Sequence, residues 1–93
     1  MKLTFKKHKE TGLAAIAAGV YTEIKHKRKM IGIISGDTIM RPDITIQIAF
    51  KKGNSWELAF LNRKFKTEEE AKKFIQENIE KISQTYELHY FEG

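Results

Sequence analysis

The stretch T67-E-E-E-A-K-K-F-I-Q-E-N-I-E-K-I-S83 decides the fold. Its apolar residues Ala71, Phe74, Ile75, Ile79 and Ile82 recur every three or four positions, which gathers them on one side of an α-helix over 68–83. Thr67, with Glu70 three residues on, forms a capping box able to satisfy two amides that a helix start leaves without partners. Glu68, Glu69 and Glu70 sit where the helix dipole favours negative charge. The other side carries Lys72, Lys73, Gln76, Glu77, Glu80 and Lys81, so the apolar stripe must dock on another part of the same chain.

The upstream sequence supplies a sheet for it. I44-T-I-Q-I-A-F50 alternates strictly, with Ile44, Ile46, Ile48 and Phe50 on one side. After the turn residues KKGNS, W56-E-L-A-F-L61 resumes the alternation, and the two runs predict a hairpin. Trp56, Leu58 and Phe60 are expected to join the isoleucines under the helix. That leaves Thr45, Gln47, Ala49, Glu57 and Ala59 on the open face. V20-Y-T-E-I24 and M30-I-G-I-I34 predict a second hairpin, and residues 35–43, SGDTIMRPD, a loop punctuated by Gly36 and Pro42.

L3-T-F-K-K-H8 reads as a further strand. L13-A-A-I-A-A18 has helical composition, with Thr11 and Gly19 as start and stop, but two turns of helix are marginal. A strand is preferred there, joined to the first by a turn at KETG and bulged near Gly19. The tail Y86-E-L-H-Y-F91 is expected to add a terminal edge strand, free to pair across a two-fold axis in a homodimer. The expected architecture is one α+β domain over 1–93: an antiparallel β-sheet of about five strands with one long helix on one face.

Ninety-three residues without cysteine exclude a disulfide scaffold, a thiol nucleophile and thiolate metal sites, and suit a reducing cytoplasm. No run of apolar residues is long enough to cross a bilayer as a helix. Phosphate-loop, dinucleotide, zinc-protease, serine-hydrolase and EF-hand signatures are missing, and His8, His26 and His89 are dispersed. Asp37 and Asp43 fit loop capping better than cation binding. No catalytic, metal or cofactor site is therefore expected.

Charge is more informative. Residues 1–66 hold 14 Lys and Arg against 5 Asp and Glu, or +9, whereas residues 67–93 hold 3 against 7, or −4. The basic residues cluster at strand ends: Lys6, Lys7 and Lys9; Lys25, Lys27, Arg28 and Lys29 within KHKRK; Lys51 and Lys52; Arg63, Lys64 and Lys66. Turns that gather at one edge of a sheet make a continuous positive surface, which a nucleic acid rewards through counterion release.

The run W56-E-L-A-F-L-N-R-K-F-K-T-E-E-E-A-K-K-F74 resembles the end of AP2-like and integrase arm-type DNA-binding domains of phages and mobile elements. In that family a strand bearing Trp leads through Phe-x-Thr-x-Glu-Glu-Ala into a helix that backs a three-stranded sheet. The resemblance implies a DNA-reading sheet face opposite the helix, with Lys51, Lys52, Arg63 and Lys64 at the strand ends. Together these readings predict a basic accessory protein that binds nucleic acid, duplex DNA first, through Lys25, Lys27, Arg28, Lys29, Lys51, Lys52, Arg63 and Lys64. The second reading is a module that docks on an acidic surface of a host nucleic-acid-processing enzyme and modulates it.

Overall fold

A computed structural model describes residues 1–9, 20–36 and 42–91. The expected strand or helix at 13–18, its flanks Thr11 and Gly19, and Asp37 lie outside the described residues. Strands β1 (Thr4–Lys9), β2 (Val20–His26), β3 (Lys29–Ser35), β4 (Thr45–Lys52) and β5 (Ser55–Phe60) form one antiparallel sheet in sequence order. Helix α1 (Glu68–Thr85) follows and packs on one face, giving the α+β arrangement.

The apolar stripe of α1 sets its docking. Ala71, Ile75 and Ile79 are buried against Ile24, Ile31, Ile34, Ile46 and Ile48 of the sheet. Each buried isoleucine contributes about 1.5–3 kcal/mol relative to exposure. Thr67 caps the helix by accepting from the Glu70 amide at 3.2 Å. The Glu70 carboxylate accepts from the Lys66 amide, one residue beyond the Thr67 amide that the reciprocal capping-box bond would use. Polar contacts fix the crossing: Glu68 accepts from the buried Thr22 hydroxyl of β2 and from Lys7 of β1, and Gln76 holds both the Leu3 amide and the Met1 carbonyl. The core contains no residue of β5, which overhangs the helix-covered part of the sheet.

Two expectations are overturned. Trp56, Leu58 and Phe60 face away from the helix and are exposed. The cause is a turn of only two residues, Gly53 and Asn54, which sets Ile48 opposite Ala59 and Phe50 opposite Glu57. Residues directly opposite share a face, so Glu57 and Ala59 lie on the helix side and the large apolar residues on the other.

The tail is also not an edge strand. Pairing of β3 with β4 stops at Gly32 and Ile48, and residues 87–91 enter the fork beyond it. The Lys51 amide donates to Glu87, the His89 amide to Ala49 and the Phe91 amide to Met30, each at 2.9 Å. A register shift at Ile24 and Lys25 accounts for the fork, because a bulge adds local twist and swings the β2–β3 tip away from β4. The edge expected to serve dimerisation is thus used up inside the sheet.

Candidate nucleic-acid interface

KHKRK builds the tip of the β2–β3 hairpin, with His26 paired to Lys29 and Lys27 and Arg28 as the two turn residues. Both adopt left-handed backbone, φ 54° and 67°. A two-residue hairpin turn with positive φ at both positions matches the twist of its strands, and Asn-Gly is the pair that adopts it most readily. Lysine and arginine are held there against a steric cost of about 1 kcal/mol each. The β4–β5 turn offers an internal contrast: there Gly53 takes the positive φ of 60°, with open space where a β-carbon would stand.

The antiparallel meander places the β2–β3 and β4–β5 turns at the same end of the sheet. Lys25, Lys27, Arg28 and Lys29 therefore share an end with Lys51 and Lys52. Lys25 lies 3.9 Å from Glu23, Lys51 3.2 Å from Glu87 and Lys52 3.2 Å from Glu57. Such pairs at the surface are worth little and exchange readily for phosphate. Among the described residues neither Lys27 nor Arg28 has an ion-pair partner.

Arg63 and Lys64 are not brought to this end. They follow β5 and lie at the opposite one, where Lys64 pairs with Asp43 at 3.4 Å. The Arg63 guanidinium stands 4.8 Å from the Phe74 ring centroid.

The tail braces the tip from behind. Phe91 is bonded to Met30, and the Tyr90 hydroxyl meets His26 Nδ1 at 2.8 Å. Burial, and then the charge of Lys27, lower the His26 pKa from its ordinary 6.5. The unfolded chain accordingly binds this proton more tightly than the folded one, so stability falls as pH drops below about 6.5 and levels off below the folded pKa. Urea midpoints measured across this window should show the decline, and His26→Gln should flatten it.

Sequence reasoning missed an aromatic group on the outer face. Trp56 stacks on His89 at 5.5 Å and 13°, and Phe91 meets Trp56 edge-on at 4.8 Å. The signal available was the length of the β4–β5 turn, which decides the face that Trp56 takes. Among the described residues no group of three His, Asp or Glu side chains could hold a metal ion, and no helix is long and apolar enough to cross a membrane. No protein-family model matches the chain, and no curated protein or solved structure is significantly similar to it.

Proposed function

We propose that this chain is a small, non-enzymatic protein that binds nucleic acid, holding phosphates with Lys27 and Arg28 at the front of the tip and Lys25, Lys29, Lys51 and Lys52 behind them. The left-handed backbone of Lys27 and Arg28 carries the reading. Folding alone favours Asn and Gly at those positions, and the cations supply instead two charges projecting from a short turn. Trp56 on the outer face sets an exposed ring next to Lys51, its partner across the ladder. Cations beside a stacking surface suit single-stranded segments as well as duplex DNA. Arg63 and Lys64 are left out of the contact surface because they lie at the other end. The resemblance of residues 56–74 to phage and mobile-element DNA-binding domains suggests an accessory protein of such an element, working in the cytoplasm.

Combined reversal of Lys27, Arg28 and Lys29 to Glu tests this by mobility shift with duplex and single-stranded DNA. Affinity should fall roughly tenfold or more, and the log–log salt slope should flatten by about one for every phosphate no longer neutralised. Thermal stability should stay nearly unchanged. Undiminished affinity for both ligands in this variant would refute the proposal.

One observation favours the second reading, a module that modulates a host nucleic-acid-processing enzyme: the exposed strip of Trp56, Leu58 and Phe60 beside Lys51, which stands opposite Trp56. Apolar strips with a charged rim are common in protein interfaces. A pull-down that yields one stoichiometric protein partner, with no shift of either DNA, would favour it over nucleic-acid binding.

A further inference from the structure

The two edges of the sheet differ. At one edge β1 carries Lys6 and Lys7, and charged residues of this kind discourage strand addition. At the other, β5 reads S55-W-E-L-A-F60, without proline or register shift. Its one charged residue, Glu57, points to the helix side and is held by Lys52 at 3.2 Å.

The hydrogen-bonding direction of β5 follows from its register. The Leu61 amide donates to the Ile46 carbonyl at 2.9 Å, so in this antiparallel ladder Ala59, Glu57 and Ser55 also bond toward β4. Trp56, Leu58 and Phe60 consequently direct their amides and carbonyls away from β4, with no partner among the described residues. The three residues are 44 %, 39 % and 57 % exposed, and their side chains project from one face.

We propose that two copies of this chain pair through β5, antiparallel about a two-fold axis at Leu58, to make a continuous ten-stranded sheet. Charge and pairing select both the occupant and the register. Only even-numbered residues offer free backbone groups, which leaves three two-fold arrangements over the body of the strand. Centring the axis on Glu57 sets two carboxylates directly opposite each other, which is unfavourable. Centring it on Ala59 pushes Trp56 past the end of the partner strand, opposite Asn62. Centring it on Leu58 engages all three residues and lays Trp56 against Phe60 of the second copy on both sides of the axis. No like charges then stand directly opposite within the paired strands. Aromatic pairs across a ladder add to the gain from burial. The contact is carried by one six-residue strand from each copy, so dimerisation should show as a dependence on protein concentration.

The test uses the full chain without nucleic acid, which keeps its outcome separate from the proposed function. Sedimentation of the native chain from micromolar to near-millimolar concentration should show monomer passing to dimer. Leu58→Lys, at an exposed position, should remain monomeric with an unchanged melting curve at low concentration. Since the chain has no cysteine, single thiols report the register. Opposed residues of a hydrogen-bonded antiparallel pair have α-carbons about 5.5 Å apart, within reach of a disulfide. Leu58→Cys should oxidise to a covalent dimer, Trp56→Cys should not, and Trp56→Cys combined with Phe60→Cys should. A native chain monomeric throughout, a dimer that survives Leu58→Lys, or cross-linking of Trp56→Cys alone would each overturn the assignment.

Discussion

Replacing Lys27-Arg28 by Asn-Gly should make the protein more stable and a weaker ligand for nucleic acid at the same time. The two backbones at φ 54° and 67° are ones that Asn and Gly adopt with less steric penalty. Relief of strain at both is expected to add about 1–2 kcal/mol, partly offset by the greater freedom of glycine in the unfolded chain. A domain of this size should then melt about 4–8 °C higher. Removing two cations from a chain of net charge +5 also eases self-repulsion. Affinity should move the opposite way, falling roughly tenfold for each phosphate that the turn ceases to hold at moderate salt, with a flatter salt slope. A purely structural turn would gain stability and lose nothing else. Paired measurements of melting temperature and salt-dependent binding on this one variant therefore separate the two roles: higher stability with unaltered binding would remove the tip from the contact surface.

Gly32→Ala should have the largest effect on stability. A β-carbon at this position would lie 2.4 Å from the Gln47 carbonyl oxygen, 2.8 Å from Ile48 Cδ1 and 3.2 Å from Ile48 Cα. The first of these is backbone in the neighbouring strand, so no side-chain rotation relieves it. Gly32 and Ile48 also form the last β3–β4 pair before the fork. The added methyl group pushes the strands apart where the tail enters, and a loss of about 3 kcal/mol or more is expected. The melting temperature should fall by at least about 10 °C. A melting temperature within experimental error of the native chain would show that the strands are not held this closely.

The legible parts of the molecule were those fixed by local pattern. The helix was readable from Thr67, its three glutamates and the spacing of Ala71, Ile75 and Ile79, and it runs two residues beyond the expected Ser83. Alternation within β4 and within β5 was equally clear. The phase between them was not, because it depends on whether KKGNS turns over five residues or two, and alternation is silent on that point. Trp56 consequently looked like core and is surface. The tail was opaque for a different reason: its partners, Met30, Ala49 and Lys51, are brought together only after β3 and β4 have diverged, and that divergence comes from a bulge more than sixty residues upstream. At the site, the charge of KHKRK was plain in the sequence and its left-handed backbone was not. Lys51 and Lys52 join it because a meander returns every second turn to the same end, and the same geometry carries Arg63 and Lys64 away.

The inserted tail gives biosynthesis a direction. Residues 87–91 leave the ribosome after both strands they bridge and after the helix. A nascent chain halted just short of them therefore displays a cleft sheet, with Ala49, Lys51 and Met30 lacking their final ladder partners. The cationic turn is then secured later than the strands it joins, and that end of the sheet is complete only when this pentapeptide slides into place.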